Sequence, residues 1–488
     1  MWEGVLVSFL LSSGFFMCIS IIVLVFLPLR TGGGMRLNSF RNLIFVCLIE
    51  LIVYSSNAYA ELASLSVFGG ASYDEAKVAL VNGFAGDGQG QVYVLGDTSS
   101  DGFTGVQGGF NSKRVGPTFD TNGNAVDNPD IFVSQFDKSA ATVLQSTYEG
   151  FSQNNTNYGA LHDFILSSVI NPNTGEVMVL RGNNLWYPTV TVYSHDLKHV
   201  TRSFEVDPDY TKGYTLINDL AFDPDTNTLY LVGKTKDTSF PMVANGVQPK
   251  FTTSMYDTLG TSVPPGTDPN LVAATAVSAQ FDGIVLKLSV PSDSGQKITL
   301  VQSTYLGGSE FDEARTVYFD RKSKYLFIGG ETRSLDLTGA VNSAPAKNDG
   351  LNPISKVRCG FVAKIDADLK NSLSTVYFSG SGEEVVEDIL VNDGKIYITG
   401  QTTSVDLLQP GKAAAVSAKP SNGGYYVAYF STDLKLNTVT YVNAGRAQQA
   451  SSISERMGSS LLDVRPETGE IFTIATGTWQ PLAVAKFQ

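Results

Sequence analysis

Short runs of alternating apolar and polar residues, bounded by Gly, Asn, Asp and Pro, follow one another along most of the chain. One set comprises residues 301–306, 314–319, 325–331 and 361–366. Alternation with a period of two between turn residues predicts antiparallel strands rather than helices. We therefore expect an all-β chain built from four-stranded units.

The same four runs return about every 50 to 90 residues, the kind of repeat that indicates a solenoid, a propeller or an array. Six units can be counted. The chain offers a lone fourth-type run at 62–68, and it ends just after a third-type run at 483–487. If these two runs pair, they complete the last sheet and remove an exposed edge. The sequence thus predicts a six-bladed β-propeller with four-stranded antiparallel blades, closed by the N-terminal strand in the C-terminal blade.

Three motifs resemble a known family. They are Ser-Thr-Tyr-Leu-Gly-Gly at 303–308, Phe-Val-Ala-Lys at 361–364 and Thr-Gly-Gln-Thr-Thr-Ser at 399–404. They look like the bacterial β-propeller repeats called SBBP, and the resemblance extends from Ala60 onward, weakening in units two and three. It implies an exported propeller on or outside the cell surface and no single activity, because a fold does not determine a function.

The N-terminus holds two apolar stretches that we exclude from the fold. Residues 35–41 form a basic region, residues 43–53 have the length of a secretory hydrophobic region, and Ala58-Tyr-Ala60 fits a cleavage site. We expect residues 1–60 to be a signal peptide, with translation starting at Met35 and cleavage after Ala60, and residues 61–488 to be the propeller. The alternative is a membrane segment at 5–28, which is long enough to span a bilayer if translation starts at Met1.

Charge and cysteine content narrow the function classes. The net charge of −13 and the absence of a Lys/Arg run argue against a nucleic-acid partner. Of the three cysteines, only Cys359 follows the predicted cleavage site, so the mature chain has no pair with which to form an internal disulfide.

Acidic residues precede or begin the first run of each unit. A ring of such carboxylates at one mouth of the channel would bind a hard cation such as Ca²⁺ through oxygen ligands. The alternative is structural, because an acid that recurs in every copy is also expected to accept hydrogen bonds from backbone amides. The candidate metal ligands are Asp74, Asp163, Asp219, Asp312 and Asp388.

Aromatic residues next to amides can stack on sugars, or they can fill the space between blades. The candidates for a ligand face are Trp186, Tyr187 and Trp479. Long second-to-third loops at 98–130, 236–280 and 332–359 open at the same end of the predicted blades as the acids. They are either binding loops or spacers packed along the outer rim.

Two functions remain open. The first is a noncatalytic binding or structural module that presents this face to a protein or glycan as a secreted, periplasmic or cell-surface protein. The second is a carbohydrate-active hydrolase or lyase that uses channel-mouth carboxylates, with Asp312, Glu313 and Asp388 as candidates. The chain has no G-x-S-x-G, H-E-x-x-H or C-x-x-C motif, so catalytic residues cannot be assigned from motifs.

Overall fold

We describe a computed structural model. It describes residues 74–82, 91–114, 118–119, 125–126, 129–137, 142–149, 163–183, 188–207, 214–252, 281–342, 358–371, 373–404, 406–407, 424–442, 458–464, 471–477 and 480–487. All of them belong to residues 46–488, the larger of the two units into which the chain divides. The predicted strand at 62–68 lies outside these ranges, as do residues 1–60.

Five four-stranded antiparallel sheets follow one another in the chain. Sheet one contains β1 (Asp74–Asn82), β2 (Gln91–Thr98), β5 (Asp130–Phe136) and β6 (Val143–Glu149), with a small hairpin of β3 (Thr118–Phe119) and β4 (Ala125–Val126) between β2 and β5. Sheet two contains β7 (Asp163–Ile170), β8 (Val177–Asn183), β9 (Thr189–Tyr193) and β10 (Val200–Glu205).

Sheet three contains β11 (Thr215–Asp223), β12 (Thr228–Thr235), β13 (Asp282–Ser289) and β14 (Thr299–Leu306), and a 3-10 turn at Val243–Asn245 lies between β12 and β13. Sheet four contains β15 (Asp312–Asp320), β16 (Tyr325–Thr332), β17 (Cys359–Asp366) and β18 (Leu373–Phe378). Sheet five contains β19 (Glu384–Asn392), β20 (Lys395–Thr402), β21 (Gly424–Ser431) and β22 (Leu436–Val442).

A sixth sheet has three described strands, β23 (Gly458–Val464), β24 (Ile471–Gly477) and β25 (Gln480–Phe487). The predicted all-β class and the four-stranded antiparallel unit are confirmed, and the described residues contain no α-helix. None of the described helical structure is long and apolar enough to span a bilayer.

Neighbouring sheets meet through their first strands. Strand β7 contacts β1 and β11, β15 contacts β11 and β19, and β19 contacts β23. Both faces of the central strands are therefore covered, and β12 is buried at every position. Sheets stacked in this way around their first strands have the arrangement of propeller blades.

Each of the first five first strands carries a β-bulge, and a glycine of the second strand faces it in sheets three, four and five. In sheet four, a Cβ on Gly330 would lie 2.0 Å from the carbonyl oxygen of Glu313. The equivalent contacts are 1.8 Å for Gly233 and 1.9 Å for Gly400. These positions require glycine because the bulged carbonyl occupies the space of a side chain.

Candidate binding surface at the loop-bearing end

The Tyr of the Ser-Thr-Tyr motif fixes the start of each long loop. In sheet one, the Tyr148 hydroxyl donates to Ser100 O at 2.7 Å and accepts from Phe103 N at 2.8 Å. Tyr305 in sheet three makes the same pair of bonds with Asp237 O and Phe240 N. Tyr377 and Tyr441 accept a bond from a loop amide in sheets four and five.

The first part of each long loop then runs along the outer strand. Val341 N donates to Thr375 O at 2.8 Å, and Thr375 N donates to Gly339 O at 2.9 Å. In the same way, Ser146 N donates to Gly105 O in sheet one, and Ser303 N donates to Met242 O in sheet three. These loop segments cover the outer edge of sheets one, three and four, as spacers at the rim would do.

The candidate acids lie on two levels of the first strands rather than in a single ring. Asp74, Asp163 and Asp312 are the first residues of β1, β7 and β15 and pair with the ends of the second strands. Asp219 and Asp388 lie further along β11 and β19, beyond the bulge. The side chains of Asp74 and Asp163 are not among the described ones, nor are Trp186, Tyr187 and Trp479.

Asp312 caps the turn that enters sheet four. One of its carboxylate oxygens accepts from Gly308 N at 2.7 Å and from the Ser334 hydroxyl at 2.8 Å. In sheet five, Glu384 takes this place, with Gly380 N at 3.1 Å and the Ser404 hydroxyl as donors. Asp336 and Asp406 bind the next amide of the same turns. These recurring acids therefore act on backbone amides, the structural role considered in the sequence analysis.

Asp219 and Asp388 join the inner strands to one another. Asp219 accepts from the Ser167 hydroxyl at 2.7 Å and from Val317 N at 2.9 Å. The Thr316 hydroxyl lies within hydrogen-bonding distance of both aspartates, at 3.1 and 3.3 Å. Asp388 also accepts from Leu462 N at 2.7 Å. We call these residues, Ser167, Asp219, Thr316, Asp388 and Leu462, the axial belt.

Burial raises the pKa of Asp219 above its usual value, and it raises the pKa of Asp388 to about 7. The backbone donors oppose the shift in both cases, and the Asp219 charge adds to it at Asp388. Among the described residues, no group of three or more His, Cys, Asp and Glu side chains is arranged to hold a metal ion. The hydrogen bonds of the axial belt connect five inner strands, β7, β11, β15, β19 and β23.

Glu313, one of the candidate catalytic acids, belongs to an ion-pair network. Its carboxylate accepts from Lys234 Nζ at 2.9 Å and from Asn218 Nδ2 at 2.9 Å, and Arg315 is 3.6 Å away. Although burial opposes ionisation, Arg315 and Lys234 hold the pKa of Glu313 well below its usual range. Glu331 accepts from Arg315 and lies 3.3 Å from Arg358. These carboxylates are held as paired anions.

Next to this network, three cations surround two phenylalanines. Lys236 Nζ lies 4.6 Å from the centre of the Phe281 ring, and the Arg333 guanidinium lies 5.8 Å from that of Phe311. Lys234 is 5.1 and 5.0 Å from the two rings, whose centres are 6.2 Å apart. We call Lys234, Lys236, Phe281, Phe311 and Arg333 the Phe281–Phe311 cluster.

Two cations of this cluster, Lys236 and Arg333, form no described ion pair, and the buried Arg333 Nε has no hydrogen-bond partner. Burial and the Lys234 charge lower the pKa of Lys236. Burial and the Arg358 charge likewise lower the pKa of Arg333, although the charges of Glu331, Glu383 and Glu310 oppose this shift. The cluster is therefore a place where an anionic group would be stabilised by charge and by hydrogen bonds.

Two backbone bonds set the positions of Arg333, Phe311 and Phe281 in this cluster. Arg333 N donates to Phe311 O at 2.8 Å, and Asp312 N donates to Phe281 O at 2.9 Å. In the next sheet Thr403, Glu383 and Arg358 take the places of Arg333, Phe311 and Phe281. The sequence analysis did not single out the cluster. The sequence signal that could have identified it is that these positions, which flank the strands, carry different residues in the aligned repeats.

No family model matches the chain, and no curated protein does. Among solved structures, it is similar to the N10 neuraminidase-like protein of A/little yellow-shouldered bat/Guatemala/060/2010, with 9% identity over 87% of this chain and 97% of that one and a TM-score of 0.36.

It is also similar to the WD40 domain of Toxoplasma gondii coronin, with 10% identity over 83% of this chain and 77% of that one and a TM-score of 0.36. The Dos1 propeller has 9% identity over 81% of this chain and 86% of that one, with a TM-score of 0.34. At these values the matches carry no activity to this chain, and the description of its fold rests on the sheets themselves.

Proposed function

We propose that this chain is an exported, noncatalytic β-propeller of six blades that binds a protein or glycan of the cell envelope or surface through its loop-bearing end. The observation that carries the proposal is the Phe281–Phe311 cluster, in which Lys236 and Arg333 lie beside aromatic rings and form no described ion pair. We infer that an anionic group of the partner binds there.

The candidate catalytic carboxylates support binding rather than turnover. Asp312 holds the turn at Gly308, Glu313 is paired with Lys234, and Asp388 accepts amide donors from the inner strands. Each carboxylate therefore already stabilises the scaffold. A glycosidase instead needs two carboxyl groups facing a scissile bond.

Six blades and ring closure also belong to this proposal. The sixth sheet has three described strands, and we propose that residues 62–68 supply its fourth. Deleting residues 61–69 should then expose β25 and destabilise the C-terminal sheet first. Hydrogen exchange that stays equally slow in β23–β25 after the deletion would contradict closure.

We also propose that the chain is exported, as its resemblance to SBBP repeat proteins implies, and that it is cleaved after Ala60. N-terminal sequencing of the protein recovered from outside the cytoplasm should give Glu61 as the first residue. An intact residue 1–34 segment in the recovered protein would support the membrane-segment alternative instead.

Binding is tested with a double variant, Lys236→Ala with Arg333→Ala. A charge-matched control is Lys322→Ala with Lys370→Ala, two exposed lysines in the β15–β16 and β17–β18 hairpins, which lie at the end of sheet four away from Arg333. Wild type and both variants are measured against a panel of neutral and uronate-containing glycans and against envelope proteins. Because hydrogen bonds to charged groups contribute about 1.5–3 kcal/mol, we expect affinity to fall roughly tenfold or more in the first variant only.

Equal binding by the two variants would overturn the assignment of the surface. Turnover of a polysaccharide by wild type, abolished without unfolding in Asp312→Asn or Asp388→Asn, would overturn the noncatalytic reading.

A further inference from the structure

Two carboxyl groups meet where sheet three joins sheet four. Asp282 is the first residue of β13, and Asp312 is the first residue of β15. Their strands are adjacent here because Asp312 N donates to Phe281 O at 2.9 Å. The two residues are 1% and 0% exposed, so both carboxyl groups lie away from solvent.

Each carboxyl has one oxygen that accepts a hydrogen bond and one that has no hydrogen-bond partner. Asp282 Oδ2 accepts from Thr252 N at 2.8 Å, and Asp312 Oδ2 accepts from Gly308 N at 2.7 Å. Oδ1 of both residues is buried and has no hydrogen-bond partner. A buried oxygen without a partner is destabilising, and more so when it is charged. A proton or a cation between the blades would satisfy two such atoms at one junction.

At the junction between sheets four and five, both oxygens of the corresponding carboxylate accept hydrogen bonds. There, Glu384 replaces Asp312, and its Oε1 accepts from the Thr402 and Ser404 hydroxyls while its Oε2 accepts from Gly380 N. Cys359 occupies the place of Asp282 at the start of the third strand. The unsatisfied carboxyl pair is thus particular to the junction between sheets three and four among those whose side chains are described.

The charges around the pair are acidic. Burial, followed by the Asp312 charge, raises the pKa of Asp282 to about 9. Burial raises the pKa of Asp312 to about 7 with a further contribution from Asp336, while the Thr332 and Ser334 hydroxyls oppose it. Tyr305 and Tyr377 face the two carboxyls. No described lysine or arginine forms an ion pair with either of them.

We propose that Asp282 Oδ1 and Asp312 Oδ1 are ligands of a Ca²⁺ ion that links sheets three and four. Ca²⁺ is a hard cation that takes carboxylate, hydroxyl and carbonyl oxygens in flexible geometry. Gln248 and Thr252 border the same site, since Gln248 Oε1 accepts from Gly307 N at 3.1 Å and Gln248 Nε2 donates to Thr252 Oγ1 at 3.2 Å. The ion would fix the loop entrance at Thr252 to the first strand of sheet four.

This site differs from a ring of carboxylates at the channel mouth. It shares Asp312 with that earlier candidate set, but its second ligand is Asp282, from the third strand of the neighbouring sheet. It shares the Asp312 N–Phe281 O bond with the Phe281–Phe311 cluster but uses none of the cluster's side chains, so a failure to bind Ca²⁺ would leave the proposed binding function standing.

The test uses the full chain, freed of metal with a chelator and titrated at pH 7 with CaCl₂ alone. Thermal unfolding and calorimetry should show one saturable site in wild type and at least tenfold weaker binding in Asp282→Asn. Asp293→Asn, which removes an exposed acid in the β13–β14 hairpin, is the matched control and should bind as wild type does. Equal Ca²⁺ binding by Asp282→Asn and wild type, or no saturable binding by wild type, would overturn the proposal.

A second measurement on wild type remains decisive if Asp282→Asn fails to fold. Calorimetry in buffers of different ionisation enthalpy should show protons released on Ca²⁺ binding at pH 7, because a buried carboxyl with an unpartnered oxygen holds a proton when no cation is present. Exposed carboxylates are already ionised at this pH and would release none. Binding without proton release would place the ion elsewhere and refute the site.

Discussion

The axial belt predicts a large effect for one substitution, Asp219→Ala. The change removes the acceptor for Ser167 Oγ, Leu220 N and Val317 N, at 2.7, 2.8 and 2.9 Å. Each lost bond costs about 1 kcal/mol, and a buried N–H left without a partner costs about 1–3 kcal/mol. Relief of the buried carboxyl, whose pKa is raised, offsets part of this loss. We expect the free energy of unfolding to fall by about 3 kcal/mol.

Urea unfolding followed by tryptophan fluorescence and circular dichroism measures this change, provided that the slopes of both variants agree. Asp225→Ala is the matched control. Asp225 is an exposed acid whose partners, Arg321 and Lys324, are also exposed, so its unfolding midpoint should stay close to that of wild type. A fall of less than about 1 kcal/mol for Asp219→Ala would refute the reasoning, because the belt would then contribute no more than an ordinary surface contact.

Three further predictions concern single residues. Gly330→Ala should lower the free energy of unfolding by more than about 3 kcal/mol, because the added Cβ would lie 2.0 Å from Glu313 O. The control is Gly295→Ala, whose Cβ would lie 3.3 Å from a flexible side chain and which should unfold like wild type. Thermal unfolding of the two variants and of wild type makes the comparison. Asp388 has a pKa of about 7 in the folded state against 3.8 ordinarily, so the folded state binds a proton more tightly, and the free energy of unfolding should fall as pH rises from about 4 to 7. Urea unfolding measured over this pH range should show that Asp388→Asn loses this part of the pH dependence. An unchanged pH dependence in the variant would contradict the assignment. Cys359 is buried, so peptide mapping should find it unmodified by iodoacetamide in the native protein and modified in urea; rapid native labelling would show that sheet four opens there.

Much of the fold was accessible from the sequence because strand periodicity and turn residues repeat. The first-strand run 314–319 lies within β15, and the third-type run 361–366 lies within β17. Both predictions depended on short apolar runs between turn residues, which remain visible although burial of both faces of a blade weakens the alternation. The Ser-Thr-Tyr motif was recognised as a repeat, but its reason was not visible, because the hydroxyl of Tyr305 binds backbone atoms 65 and 68 residues away in the chain.

The candidate site was less accessible. Asp219 and Asp312 look equivalent when acids are counted ahead of each strand, yet a bulge and a difference in register place them on two levels. Asp282 escaped notice because β13 and β14 separate it from Asp312 along the chain. Neither the register nor a contact between distant strands follows from local composition, so pairing of these acids required the sheets.

The backbone bonds that hold the Phe281–Phe311 cluster separate shape from specificity. Arg333 N to Phe311 O and Asp312 N to Phe281 O are made by main-chain atoms whichever side chains stand there. The equivalent bond of the next sheet joins Thr403 N to Glu383 O, so the same backbone arrangement already holds two different sets of side chains. New recognition surfaces could therefore be built on this propeller by exchanging side chains at these positions, with the blades left unchanged.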